Sequence, residues 1–410
     1  MTPPDSAPPA SRITPAQTDQ GPFRWVMLAL LWLLYTAFGM VARAIFPLFT
    51  PIINDLQLSY SQMGVILGSW QLVYILVAMA AGSVLDRWGV HKSILAGATI
   101  IGLSAALRFF ASDFTIMLIA VALFGAGGPM ISIGGPKTIS EWFQGKSRGT
   151  AIGIYTTGPW IGGLFALAMT NSWIMPLVGN SWRWTFVCYG CFTIGAGILW
   201  GFLARKASSP APEGHSSICS VFRRLFGVRN VQVLLMMALF AFAIGHGFSS
   251  WLPNILEKSG MSASHAGFAA SLPLATGIPA ILLIPRWVPP RHRSLVIAIL
   301  GLLTMVNLVL VMFASGQALY AVLVTLGFIS APFMSLMLLI LMDTREVDSK
   351  DMGAAGGMFF CVAEIGGFAG PLMMGMLVDV TGTFLSGTFF LAGLCVAISG
   401  LTLRLKKYQF

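Results

Sequence analysis

The chain of 410 residues carries a formal net charge of +10, and 56% of its residues are hydrophobic while only 9% are charged. Soluble domains contain about 25% charged residues, so a water-soluble fold cannot cover this much apolar surface. The composition therefore excludes a soluble enzyme or binding domain and indicates a chain that is solvated by lipid.

Apolar runs recur along the chain at about the 20 residues that a membrane helix needs. We predict an all-α membrane protein with twelve transmembrane helices, near residues 25–47, 60–81, 94–111, 114–136, 150–170, 183–204, 231–253, 264–285, 294–314, 317–342, 352–378 and 384–403. They form a predicted N-terminal six-helix bundle at 23–204 and a C-terminal six-helix bundle at 231–403. The segment 1–22 is a predicted disordered tail, 205–230 a linker and 404–410 a second tail.

Lysine and arginine lie mostly on one side of the predicted helices. If the N-terminus is cytoplasmic, 19 of the 24 basic residues fall in cytoplasmic segments, and only Arg183 and Lys258 fall on the opposite side. Because this is the positive-inside asymmetry, we predict a multi-pass protein of the cell (inner) membrane with both termini cytoplasmic. The same distribution argues against a nucleic-acid partner, which would need one clustered basic face.

No pattern for a metal site, a cofactor or a catalytic centre is recognisable. Cys188 and Cys191 form a C-x-x-C, but they lie in an apolar helix without a histidine beside them, which favours a packing role. The chain has no phosphate-binding loop and no nucleophile–base pair, and its first 22 residues do not resemble a cleavable signal peptide. We therefore predict no enzymatic activity, no metal and no cofactor.

The first predicted helix contains Tyr35 and Phe38 and then Arg43. An arginine within a span costs about 3 kcal/mol on insertion scales unless it faces water or a partner. Arg43 is therefore predicted to face a central cavity, and snorkelling to the outer headgroups is the alternative. Arg108, close to the end of the third predicted helix, is predicted to snorkel.

A short charged stretch, Gly82-Ser83-Val84-Leu85-Asp86-Arg87-Trp88-Gly89-Val90-His91-Lys92, follows the second predicted helix. We interpret it as a hinge in which Gly82 lets two helices approach closely and Gly89 permits a turn with positive φ. Arg87 and Lys92 would anchor the turn on an anionic leaflet, and Asp86 would meet a helix N-terminus or a basic side chain. The pattern G-x-x-x-D-R-x-G-x-x-K resembles the loop between the second and third helices of major facilitator superfamily transporters.

Two further patterns are similar to that family. The stretch Gly158-Pro159-Trp160-Ile161-Gly162-Gly163 resembles part of its fifth-helix motif, although small residues also serve simply to let helices touch. Leu85–Ser93 is weakly echoed by Ile284–Ser294, which implies two six-helix pseudo-repeats. The arginine in the first helix resembles the anion:cation symporters, and the W-L-P at Trp251–Pro253 resembles the cyanate-permease branch.

The resemblance also implies which side chains meet a substrate, because helices 1, 4, 7 and 10 of the family line a central cavity. Carried onto this chain, the substrate-facing residues are Tyr35, Phe38, Arg43, His246, Trp251 and Phe333, with Trp160 nearby. Among the acidic residues, Glu364 alone lies deep in a predicted span, which makes it the strongest candidate for carrying a proton. His246 is the competing candidate because histidine titrates near neutral pH.

These features predict a secondary active transporter, a monomer in the lipid bilayer, that carries a small organic or inorganic anion by alternating access with a proton or another coupling ion. A substrate charge would offset the desolvation of Arg43. Two alternatives stay open: an exporter of drugs or hydrophobic metabolites, favoured by the 22 methionines, and a membrane sensor that transports nothing.

Overall fold

Apolar runs form twelve membrane-spanning helices in the computed structural model, which describes residues 21–205, 223–344, 346–347 and 352–405. They are α1 Phe23–Arg43, α2 Tyr60–Trp88, α3 Val90–Leu107, α4 Phe114–Trp142, α5 Gly145–Met169, α6 Trp182–Leu203, α7 Arg229–Lys258, α8 Ala263–Trp287, α9 Arg293–Val311, α10 Gly316–Ser330 continued by Phe333–Met342, α11 Met352–Thr381 and α12 Phe384–Thr402. The described residues contain no strand. The predicted all-α class with twelve spans is confirmed, whereas most of the predicted tails and linker lies outside the described residues.

An even number of spans places the start of α1 and the end of α12 on one face of the bundle, which we call the terminal face; the opposite one is the distal face. Five of the six described helices that begin at the distal face are capped by side chains: Ser59, Asp113, Ser181, Ser262 and Thr383 accept hydrogen bonds at the starts of α2, α4, α6, α8 and α12. Such caps satisfy backbone N–H groups that have no partner within the helix. At Asp113, hydrogen bonds from the backbone N–H groups of Ile116 and Thr115 hold the pKa of the carboxyl below its usual range.

The two sets of six helices pack in the same pattern. In the first half α1 packs on α5, α2 on α4 and α3 on α6; in the second half α7 packs on α11, α8 on α10 and α9 on α12. The halves then meet through two helix pairs, α2 with α11 and α5 with α8. If the second half repeats the first, α8 corresponds to α2 and α11 to α5, so the two pairs are equivalent, as expected of two related six-helix repeats.

Hydrogen bonds between the halves lie at the distal face and at mid-depth. The Asp379 carboxylate of α11 accepts hydrogen bonds from the backbone N–H groups of Tyr60 (3.0 Å) and Ser61 (2.7 Å) at the start of α2. On the other side of the bundle, Asn171 Nδ2 donates to Ala263 O at 3.2 Å. These hydrogen bonds close the bundle at its distal end.

The charged stretch after the second predicted helix is mostly helical, because α2 continues to Trp88. Only Gly89 turns the chain, with φ of +80°, and this confirms the predicted positive φ. The predicted close approach at Gly82 is absent: a Cβ atom there would meet no atom within 4 Å. The reason is that α2 and α11 touch along their distal parts, and Gly82 lies near the terminal face.

Arg108 corrects another prediction, since its side chain is 1% exposed and does not snorkel. Its guanidinium lies 4.9 Å from the centroid of the Phe186 ring, and Nη1 donates to Val41 O near the end of α1 at 3.4 Å. A cation beside the last carbonyls of a helix is favourable. The position of Arg108 near the end of a predicted helix therefore led to the wrong prediction of an exposed side chain, because α1 and α6 cover it.

Candidate functional site

Aromatic side chains from several helices of the first half gather at mid-depth around α1. Tyr35 stacks on Tyr155 with ring centroids 4.4 Å apart, and Phe38 lies 4.9 Å from Phe124. Trp70 of α2 connects this group to the second half, at 6.3 Å from Phe38 and 6.2 Å from His246. Apolar walls with a few polar groups are typical of small-molecule sites, and the predicted residues Tyr35, Phe38 and His246 are brought together here.

Arg43 extends from the last turn of α1 towards α5. It packs over Gly163, where a Cβ atom would lie 2.5 Å from the arginine Cδ and 3.0 Å from Nη1. The side chain is partly buried and makes no hydrogen bond or ion pair with another described residue. This half of the site therefore presents a cation without an acidic partner among the described residues.

Gln71 of α2 links the halves in the middle of the bundle and is missing from the predicted set of site residues. Its Nε2 lies 3.3 Å from His246 Nδ1 and donates to the backbone oxygen of Gly367 at 3.3 Å. The residue is 1% exposed, and its Oε1 is buried without a hydrogen-bond partner. The available signal was a glutamine between Trp70 and Tyr74 in an apolar run, but the sequence did not show which helix it faces.

Because Gln71 Nε2 donates, Nδ1 of the neutral His246 ring accepts and the ring proton lies on Nε2. His246 is partly buried, and its ring also packs 5.3 Å from that of Phe242. Nε2 has no hydrogen-bond partner among the described residues, so it is a donor that remains available to a ligand.

Glu364 of α11 lies beside Gln71. The residue is 9% exposed, and its Oε2 is buried without a hydrogen-bond partner. Oε2 and the Gln71 Nε2 lie 3.1 Å and 3.4 Å from the point that a Cβ atom on Gly367 would occupy. An ionised carboxylate without a partner is costly away from water, so this position suits a group that gains and loses a proton.

Three predicted substrate contacts lie apart from this cluster. Trp251 is 0% exposed and packs at the distal face against Phe49, with ring centroids 4.4 Å apart. Trp160 faces the second half, where a Cβ atom on Gly277 would lie 2.9 Å from its ring. Phe333 is buried directly after the break in α10 at Pro332. In these positions the three side chains pack between or within the halves.

The predicted motif residues occupy the terminal face and the contact of α1 with α5. Asp86 accepts from Lys137 Nζ of α4 at 2.5 Å, while Arg87 and Lys92 are exposed. Gly158 and Pro159 lie against α1: a Cβ on Gly158 would be 3.1 Å from Thr36 N. The described residues contain no cluster of His, Cys, Asp or Glu that would hold a metal ion.

Comparison with known proteins identifies relatives along most of the chain. The hexuronate transporter of Bacillus subtilis is 28% identical over 359 residues, which cover 83% of this chain and 84% of that protein. The probable galactarate/D-glucarate transporter of Escherichia coli K12 is 24% identical, and the probable sulfoacetate transporter of Cupriavidus necator is 22% identical; each alignment covers 92% of both chains. These relatives are transporters of organic anions by name, which agrees with the predicted anion-carrying branches and with the prediction that the chain is not an enzyme.

Solved structures of transporters share the fold at low sequence identity. A bacterial homologue of the human lysosomal transporter Spinster, in an inward-facing and unoccupied conformation, has a TM-score of 0.74 at 18% identity, covering 94% of this chain and 95% of that one. The nucleoside transporter NupG has a TM-score of 0.79 at 14% identity, covering 94% and 100%. A family model described as the Major Facilitator Superfamily matches residues 31–371, and the chain belongs to that superfamily.

Proposed function

We propose that the protein is a secondary transporter that carries a small organic anion across the membrane by alternating access. The observation that carries the proposal is the guanidinium of Arg43, which packs over Gly163 of α5 and has no acidic partner among the described residues. A partly desolvated arginine needs an anion or hydrogen-bond acceptors, and its planar fork matches a carboxylate. A substrate carboxylate supplies both.

The substrate class that fits best is a hydroxylated carboxylic acid of sugar size. Such a molecule needs one cationic partner and several hydrogen-bonding groups, which Arg43, the Tyr35 hydroxyl and His246 Nε2 offer; the last two have no hydrogen-bond partner among the described residues. The relatives named for hexuronate and for galactarate and D-glucarate support the same class.

The closed distal face supports the alternating mechanism. Contacts between the halves run from Asp379 at the distal end of α11 to Gln71 at mid-depth. Since the positive-inside distribution predicts a cytoplasmic terminal face, this conformation would expose the site to the cytoplasm. Transport requires the distal contacts to open while contacts form at the terminal face, where the Asp86–Lys137 pair lies.

Coupling to protons would pass through Glu364. When Glu364 is ionised, its buried Oε2 has no partner; a proton on that oxygen removes the charge and makes the carboxyl a hydrogen-bond donor. The charge of the cluster therefore changes at the contact between the halves. Because Gln71 also contacts the His246 ring that is offered to the substrate, substrate and proton would each alter the free energy of the other's binding.

The decisive experiment measures uptake of radiolabelled D-galacturonate into proteoliposomes under a pH gradient. We expect Arg43→Ala to reduce uptake at least about thirtyfold, because loss of one partner of a desolvated charge contact costs about 2–5 kcal/mol. Arg43→Lys should recover part of the activity, and Arg148→Ala, which removes an exposed charge from the first turns of α5, is the matched control. Uptake that is equal in the Arg43→Ala and control proteins would reject the proposal.

Thermal unfolding with a ligand panel separates the alternative functions. A ligand that binds only the folded state at 100 times its Kd stabilises it by about 2.7 kcal/mol. Hydroxylated carboxylates should raise the Tm of the wild type and not of Arg43→Ala. A response to lipophilic cations alone would favour an exporter of hydrophobic compounds, and binding without any flux would favour a sensor.

A further inference from the structure

A cavity with polar residues in its wall opens between the two halves at the distal face, and Arg43 does not line it. Its volume is about 470 Å³, and residues of both halves line it, among them Thr50, Asn54 and Tyr60 from the first half and Asn254, Glu257 and Lys258 from the second. We call it the distal pocket. The helix Phe49–Leu56, which follows α1, forms one wall, and the end of α7 forms the other.

A chain of hydrogen bonds crosses the halves in the wall of this pocket. Thr50 Oγ1 donates to Glu257 Oε2, and Asn254 Nδ2 donates to Thr50 Oγ1 at 3.0 Å. Asn254 is 4% exposed, and its Oδ1 is buried without a hydrogen-bond partner. The wall therefore contains a buried acceptor that the protein does not satisfy, and such acceptors are uncommon in folded proteins.

Lys258 supplies a positive charge at the same place. Its Nζ lies 4.6 Å from the centroid of the Tyr60 ring and 5.3 Å from that of Phe384. It forms no ion pair or hydrogen bond with another described residue, although Glu257 is its neighbour in the chain. The rings hold the ammonium group in position by cation–π attraction and leave its N–H groups available to an anion.

We propose that the distal pocket is a second binding site for a hydroxylated carboxylate, with Lys258 bound to the carboxylate and with Glu257 and Asn254 accepting hydrogen bonds from hydroxyl groups. The identity of the ligand rests on the proposed function, because a transported acid would reach this pocket from the distal side. A ligand with a carboxylate alone would leave the acceptors unsatisfied, and an uncharged sugar would leave Lys258 unpaired.

A ligand in the distal pocket would also control transport. Because both halves line the pocket, it has this shape only while the distal face is closed, and an occupant stabilises the state that it binds. The return of the empty carrier to the distal-open state would then slow at high substrate concentration on the distal side. Uptake should therefore rise with substrate, reach a maximum and decline.

Binding stoichiometry tests the site directly. Equilibrium dialysis of purified protein with radiolabelled D-galacturonate should give two equivalents for the wild type and one for Arg43→Ala. The equivalent that Arg43→Ala still binds is the one in the distal pocket. Its affinity should fall at least about tenfold, a change of about 1.4 kcal/mol, in Arg43→Ala/Lys258→Ala and should be retained in Arg43→Ala/Lys258→Arg. Glu257→Gln keeps an acceptor for Thr50 and removes a negative charge from the pocket, so it should not weaken binding of the anionic ligand.

Several results would overturn the inference: one equivalent in the wild type, two equivalents that Lys258→Ala leaves unchanged, or no binding at all. A second measurement follows uptake by proteins that keep Arg43. Lys258→Ala should abolish the decline of uptake at high substrate concentration on the distal side, and Lys258→Arg should keep that decline. A decline that persists in Lys258→Ala also contradicts the site. The proposed function fails separately, if Arg43→Ala leaves uptake intact while binding still depends on Lys258.

Discussion

Asp379 of α11 caps the N-terminus of α2 from the other half of the protein, accepting from the backbone N–H of Ser61 at 2.7 Å and also from its hydroxyl. An aspartate normally caps the helix that follows it in the chain; here the two residues are separated by 318 positions. Ser59 caps Gln62 from within the same half, but the N–H groups of Tyr60 and Ser61 have Asp379 as their partner only while the distal face is closed, so this cap couples local helix stability to the arrangement of the halves.

Asp379→Asn should weaken the closed distal face by about 1 kcal/mol, because the cap loses its charge and one acceptor. We expect faster hydrogen exchange at residues 59–64, measured by mass spectrometry. Asp55→Asn, which breaks the pair of Asp55 with Arg183 within the first half, is the control and should leave that segment unchanged. Equal exchange in both variants would show that the cap does not hold the face closed.

Glu364→Gln should abolish net uptake driven by a pH gradient, since the amide cannot gain or lose a proton at this site. Exchange of substrate across the membrane without a gradient should persist, because it does not require the proton to leave. Glu141→Gln, near the terminal end of α4, is the control acid. If gradient-driven uptake survives in Glu364→Gln, His246 becomes the candidate proton carrier.

Gln71→Leu should lower uptake by about tenfold while leaving thermal stability nearly unchanged. The substitution removes the hydrogen bond to Gly367 and the donor that fixes the His246 ring, yet it also removes a buried oxygen without a partner. Ser69→Ala is the matched control, because the Ser69 hydroxyl donates to Ile66 within the same helix. A large fall in Tm with normal uptake per folded protein would assign Gln71 a structural role.

Gly162→Ala should lower Tm by an amount equivalent to about 1–3 kcal/mol, as expected for overpacking. A Cβ atom at Gly162 would lie 2.0 Å from the backbone oxygen of Thr36, so α1 and α5 must separate. Gly153→Ala in the same helix meets no atom within 4 Å and should be neutral or stabilising because of its better helix propensity. Similar Tm values for the two variants would contradict the close contact of α1 with α5.

The sequence by itself determined the features that depend on local chemistry. Runs of about 20 apolar residues set the number of helices, and the single polar residues within such runs, above all Arg43 and Glu364, were the candidates for the site. The motif around Asp86 was sufficient to indicate the family, because charged residues and glycines at this fixed spacing are rare in an apolar chain.

Only the tertiary structure decided which of these residues meet. Gln71 and Gly367 are 296 positions apart, and their contact depends on how α2 and α11 rotate against each other, which hydrophobic periodicity does not fix when a helix is apolar on all sides. The same ambiguity explains why Trp251 packs at the distal face, why Arg108 is buried and why the distal pocket has no sequence signature. In a membrane, lipid and protein interiors are equally apolar, so small residues and polar contacts select the facing surfaces.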